Sequence, residues 1–380
     1  MVNHPSSPKP QHTKQATMSN PSDPILASPE FQAHLARLSE LSTSIENTGG
    51  WPTKSWQAMC ESGVPNWFVP EQFGGTPQSE MTKQFGYLEL AAACLTTAFV
   101  LTQRNAAVSR ILISDNHELK TRLSRELASN ESFATVGISH LTTSRQHVKD
   151  PILKATPTSE GWILDGEIPW STGAEAAEVI VTGGIQPDGQ QVLLALPTNR
   201  TGVVINPAPK LLALNESCTT SVSLKNVLAP QELWLIGPCE NVLAAGSAGG
   251  ITTSALALGA AQKSICGLET EAEKRPDLRD SATELRATLE RLKESVREMT
   301  TSPNSPPSAE EREALRKQSN SLVLRAAQSW LTASKGAGFL AGHPASRAVR
   351  EAQFFLVWSC PQNVMAAALA EFACVSISSP

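Results

Sequence analysis

Near Phe133 the apolar residues change their period, and after Pro238 they change it back. Upstream, "FQAHLARLSELSTSI" sets Phe31, Leu35, Leu38 and Leu41 at spacings of four, three and three, one apolar stripe of a helix. The run "SEMTKQFGYLELAAACLTTAFVLTQRNAAVSRILI" is too long and too evenly apolar for one surface helix and predicts a buried pair. Between Phe133 and Pro238 the apolar segments become short and β-branched, as in "FATVGI", "EVIVTGG" and "SVSLKNVLAP", and Gly, Pro, Asn or Asp separates them. Beyond Cys239, Leu285, Leu289, Leu292, Val296 and Met299 again step by four, three, four and three. Ser308 and Glu311 then form a capping box that starts another helix. The expected fold is α+β and multidomain: an N-terminal α-helical domain over 24–130, a middle antiparallel β domain (sandwich or barrel) over 131–238, and a C-terminal four-helix-bundle domain over 239–380.

Residues 1–23 are rich in Pro, Ser, Asn, Gln and Thr without an apolar h-region, which predicts a disordered tail and no secretory signal. No run reaches the roughly 18 consecutive apolar residues of a spanning helix, so a soluble chain with no membrane partner is expected. The 31 basic and 36 acidic residues leave a formal charge of -5, which offers no field for condensing on nucleic acid. The seven cysteines are scattered, with no C-x-x-C pair, and read as buried thiols of a cytoplasmic protein.

Four local segments, in this order of domains, resemble the acyl-CoA dehydrogenase family of FAD-dependent enzymes. "VPEQFGG" is similar to the family's Val-Pro-Glu-x-x-Gly-Gly turn, and "GEIPWSTG" to its Gly-x-Lys-x-Trp-Ile-Thr signature through Trp170 and Thr172. "SVSLKNVLAPQELWLIG" resembles the strand that hands the β domain over to the bundle. "GAGFLAGHPASRAVREAQFFLVWSCP" follows the glycine turn, the Pro-x-x-Arg and the Arg-Asp-Ala-Arg segment, with Glu351 in place of the Asp.

The resemblance implies an FAD cofactor and a set of residues around it. The Trp170-Ser171-Thr172 triplet would lie at the isoalloxazine, Trp170 packing against the ring and Thr172 hydrogen-bonding near N5. Ser139 would keep a hydroxyl toward the pyrimidine side, although His140 and Leu141 replace the Glu and Pro of the family's Thr-Glu-Pro motif. Arg275 would reach the pyrophosphate of a neighbouring subunit, and Gly336 and Gly338 match two glycines of a turn that lets backbone approach the cofactor. Lys335, Thr332 and Leu278 depart from the family at its first turn glycine, a Gln and a Phe.

The run Phe354 to Trp358 reads as a buried segment stopped at a polar elbow, Ser359-Cys360-Pro361. Counted on from Arg350, Ser359 stands where the family carries the Glu that removes the substrate's α-proton. A neutral serine hydroxyl does not accept that proton unaided. Thr252 and Thr253, in the region where one branch of the family carries its base, are not carboxylates either, so no catalytic residue is assigned. His140, His343, Glu351 and Cys360 are weaker candidates; Glu351 is expected to pair with an arginine. The implied function is an oxidoreductase acting on CH-CH groups of an acyl thioester or related small molecule, weak or atypical for want of the base. Alternatives are a reduced-flavin monooxygenase of the same fold and a non-enzymatic oligomeric homologue. The resemblance also implies a homodimer or homotetramer and an electron-transfer partner.

Overall fold

The structure, a computed structural model, describes residues 23–142, 151–244, 251–301 and 306–375. The predicted tail up to residue 22, the end of the loop after Ser139 and residues 302–305 of the "TTSPNSPP" loop lie outside the described residues.

Helix α1 (Pro29–Thr48) starts where the Ser28 side chain accepts the Phe31 amide, and it is followed by α2 (Thr53–Glu61). The predicted buried pair is α3 (Glu80–Ala93) and α4 (Leu95–Leu112), parted at Cys94, whose extended backbone interrupts the helical run. Helix α5 (His117–Ala128), capped by Asn116, closes this first segment.

Among the described residues eight strands follow: β1 (Ala134–Gly137), β2 (Leu153–Thr158), β3 (Gly161–Ser171), β4 (Val179–Ile185), β5 (Gln191–Pro197), β6 (Val203–Ile205), β7 (Thr220–Pro230) and β8 (Trp234–Cys239). They form one sheet in the order β6-β7-β3-β2-β4-β5-β8, with β1 on β4. Most pairs are antiparallel, but β4 runs parallel to both β1 and β2. Strands β4 and β5 are buried on both faces. Ile180, Leu194 and Leu196 point to a core within the sheet, and Val181, Leu193 and Ala195 to one shared with α4 and α5.

The chain then returns to helices: α6 (Ile251–Lys274), α7 (Arg279–Thr301), α8 (Ala309–Ala333), the single turn α9 (Lys335–Gly338), α10 (Pro344–Ala352) and α11 (Gln362–Ala373). Both halves of the predicted capping box are present at α8. On α7, Leu285, Leu289, Leu292 and Val296 are buried, as the seam predicts, and Met299 is partly buried. A single core joins Leu38 of α1, Leu88 of α3 and Phe99 of α4 to Leu256 of α6, Leu289 of α7 and Leu322 of α8. Helices α3 and α6 touch backbone to backbone, because a Cβ on Gly259 would fall 2.1 Å from the Leu88 carbonyl oxygen.

Two expectations need correction. The run from Phe354 to Trp358 is not a buried segment: it forms a 3₁₀ turn (Gln353–Leu356) in which only Phe355 is fully enclosed, while Val357 is 78% exposed. A tight turn of three residues per revolution fans five successive side chains around the axis, so they cannot all face one core. Nor are all the cysteines buried. Cys94 and Cys218 are, but Cys266 and Cys374 lie exposed on or beside helix surfaces.

Candidate functional site

A cleft of about 1050 Å³ opens where the end of β3, α3, α4, the start of α6 and the turn after α10 converge. Its β-side wall is built by an irregularity in the sheet. Between Ile168 and Ser171 strand β3 spends three residues while β7 spends two, Val222 to Thr220, so one extra residue sits on β3. Such a bulge bends the strand and re-aims a side chain, and Pro169, which has no amide to donate, is suited to it. Trp170 emerges there 47% exposed and facing the cleft. Thr172 lines the same wall, its hydroxyl 2.9 Å from that of Thr219, which lies 2.8 Å from that of Ser217. Ser139 also faces the cleft, with a buried hydroxyl that has no hydrogen-bond partner.

The helical wall is held by a buried arginine. Arg104 donates to the carbonyls of Pro65 (2.9 Å) and Leu127 (2.7 Å) and to Asn105 Oδ1 (2.9 Å), and Asn105 Nδ2 donates to the Tyr87 hydroxyl (2.8 Å). Burial pushes the Tyr87 phenol far up, so it stays neutral. Nearer the α6 end, Gln84 Nε2 donates to Glu80 Oε1 at 2.6 Å and to Thr252 Oγ1 at 3.1 Å. Among the described residues that line the cleft, Glu80 is the one carboxylate. The third wall is the turn after α10, where Phe354, Trp358 and Ser359 face inward and Ser359 takes the left-handed conformation (φ 46°).

The structure thus brings Ser139, Trp170, Thr172, Thr252, Thr253 and Ser359 into one space. It places four other predicted residues elsewhere. Ser171 is fully buried and off the cleft, because successive strand side chains point to opposite faces. Arg275 lies beyond the far end of α6, donating to the Ala333 carbonyl at 2.5 Å, with Asp277 at 3.8 Å. Gly336 is exposed, and a side chain there would meet nothing. Gly338 is buried, and a Cβ there would fall 2.7 Å from Ser334 Cβ.

The weaker candidates have structural duties. His140 is buried with Nε2 2.7 Å from the Gly183 carbonyl, and His343 Nδ1 accepts the Ala345 amide at the start of α10. Glu351 is buried and paired to Arg347 at 2.6 Å, as expected. Burial raises the Cys360 thiol's pKa, against a smaller opposing effect of Arg316, so the thiolate is scarce at neutral pH.

Residues that the sequence reading missed include Phe99, Tyr87, Asn105, Glu80, Ser217 and Thr219. Phe99 and Tyr87 sit in evenly apolar helices where nothing local separates a cleft wall from core. Ser217 and Thr219 flank Cys218, whose left-handed backbone (φ 46°) turns the chain toward Thr172. Asp, Asn, Ser and Thr clusters mark such turns but not what they face.

Residues 34–131 match the family model described as the acyl-CoA dehydrogenase N-terminal domain. Over 230 residues the chain is 25% identical to the probable acyl-CoA dehydrogenase YngJ of Bacillus subtilis (strain 168), a match that covers 58% of this chain and 60% of that protein. In fold it is similar to glutaryl-coenzyme A dehydrogenase solved with glutaryl-CoA (TM-score 0.75, 17% identity, 91% of this chain and 96% of that one). It is likewise similar to FMN-bound TdsC from Paenibacillus sp. A11-2 (TM-score 0.72, 18% identity, 92% and 97%). In its matched N-terminal domain, in its helical, sheet and helical order and in these likenesses, the chain is similar to the acyl-CoA dehydrogenase family and has that family's fold.

Proposed function

We propose that this protein is an FAD-binding oxidoreductase for a small molecule, and that it is a weak acyl-CoA dehydrogenase. The observation that carries the reading is the meeting of Trp170, Thr172 and Ser139 with Ser359 in one cleft. A flavin fits what is there: a half-exposed indole for the ring to lie against, an unpartnered buried hydroxyl on Ser139, and the hydroxyl chain Thr172-Thr219-Ser217. When bound, the isoalloxazine supplies hydride and electron transfer. The chain's own residues orient that ring and narrow the space beside it.

Proton removal is the step this chain supports poorly. Ser359 and the α6 threonines offer no base, and general base catalysis is worth roughly 10² to 10⁴ in rate. Glu80 is half-exposed at the start of α3 and engaged by Gln84. A reduced-flavin monooxygenase is the second reading, and the missing carboxylate at Ser359 favours it, since oxygen chemistry has no need of an α-proton base. FAD in place of FMN, with Arg275 serving a neighbouring chain in a homodimer or homotetramer, is part of the proposal, as is an electron-transfer partner.

The purified protein should carry the visible absorption of bound flavin. Thr172→Ala should loosen it by about 0.5 to 1.5 kcal/mol, one hydrogen bond. With a panel of acyl-CoA thioesters under anaerobic conditions, Ser359→Glu should bleach the flavin faster than the parent. Absence of flavin would leave the non-enzymatic reading in front, and fast bleaching by the parent would mean that another residue of the cleft serves as the base.

A further inference from the structure

The most concentrated feature of the cleft that the flavin reading leaves unused is a group of three rings beside Ser359. Phe354 and Trp358 stack nearly parallel, with centroids 5.0 Å apart and planes at 13°. Phe99 of α4 meets both edge-on, at 4.8 Å and 71° to Phe354 and at 5.1 Å and 81° to Trp358. All three line the cleft. Phe99 is only 4% exposed, whereas Phe354 and Trp358 keep part of their surface open.

The position of this group gives it a consequence. Trp358 immediately precedes Ser359 and both line the cleft, so a substrate whose reacting atoms lay beside Ser359 would meet the rings with its body. Phe99 is fixed in a helix interior and Phe354 is held between Phe99, Phe355 and Trp358, so the rings form a rigid wall. The Thr102 hydroxyl beside the rings is occupied with the Phe99 carbonyl and accepts from Gln103 Nε2 at 3.0 Å. A rigid planar ligand loses little internal freedom on such a wall, whereas an alkyl chain must immobilise each rotor. The negative face and positive edge of each ring also reward another aromatic ring in a stacked or edge-on position. Each such pair is worth about two- to tenfold in affinity beyond burial alone.

From this we infer that Phe99, Phe354 and Trp358 form a specificity box for a substrate bearing a planar aromatic ring, in preference to a linear acyl chain. The inference rests on the reading of this cleft as the substrate site.

Titration calorimetry of the full chain with 2-naphthol and with decan-1-ol tests it, since both probes carry ten carbons and one hydroxyl. 2-Naphthol should bind about tenfold more tightly. In Phe99→Leu and in Trp358→Leu that advantage should fall below about threefold, with the flavin content, read by absorbance, equal to the parent's. Equal affinities, a preference for decan-1-ol, or an advantage that survives both substitutions would overturn the box. If a variant fails to show the parent's circular dichroism, the parent's own preference decides. Flavin present without the preference sinks the box and spares the flavin reading. The preference without flavin does the reverse.

Discussion

Trp170 and Ser171 are neighbours in sequence and opposite in fate. The bulge turns the indole into the cleft and leaves the next hydroxyl buried without a hydrogen-bond partner. A motif read as a triplet therefore supplies two cleft residues and one that packs behind them. His34 shows the same dependence on surroundings. It lies on α1 beside Phe31, and burial, with the nearby Arg37 adding to it, lowers its pKa to about 4. The unfolded chain holds that proton below about pH 6.5, the folded chain only below about 4, so the unfolded state binds more protons between these values. Stability linked to His34 is full above pH 6.5 and is lost as the pH falls to about 4. After allowance for solvent screening the loss is on the order of 1 to 2 kcal/mol. Urea unfolding of the parent and of His34→Leu at pH 7 and pH 4.5 checks this. The parent should lose more stability than the variant, and equal losses would remove His34 from the acid response.

At the level of elements, the junction of α3 and α6 decides where the cleft's walls stand. Gly259 lets the helices approach until Leu88 and Ala91 sit against its bare backbone. Both helices supply cleft residues, Tyr87 and Gln84 from one and Thr252 and Thr253 from the other. Gly259→Ala would gain helix propensity on α6, but the new methyl would meet a backbone carbonyl that cannot rotate away. Overpacking of this kind typically costs about 1 to 3 kcal/mol. The urea midpoint should fall accordingly; an unchanged midpoint would show that the helices separate freely. The helices themselves were legible beforehand, because the 3.6-residue period and the Ser308–Glu311 box are local signals. The parallel pairings of β4 were not, since a strand's alternation says which face is buried and nothing about which neighbour it takes.

For the molecule as a whole, helix α11 leaves an apolar face open. Met365, Leu369 and Phe372 lie four and three apart on α11, each more than 40% exposed, while Val364 faces inward. Phe339 and Leu340, on the turn after α9, are more exposed still. Apolar stripes of this kind mark association surfaces, and they support the proposed homo-oligomer. Sedimentation equilibrium should report a dimer or tetramer for the parent and a lighter species for the double substitution L369E/F372E. A monomeric parent would overturn the proposal.

The order of helical, sheet and helical segments was legible in the chain because apolar period and turn residues are short-range signals, and a few cleft residues were legible through motifs that resemble a known family. Trp170, Thr172, Ser139 and Ser359 were named from such stretches, and the structure gathers them in one cleft. What completes that space comes from contacts between distant parts of the chain. Phe99 reaches Trp358 across 259 positions of chain, and Gln84, which holds Glu80, reaches Thr252 across 168. The physical reason is that a side chain's direction relative to distant elements is set by packing, and packing is a property of the whole core. The same core, shared between the first and last helical segments, brought an aromatic wall against an elbow without a carboxylate.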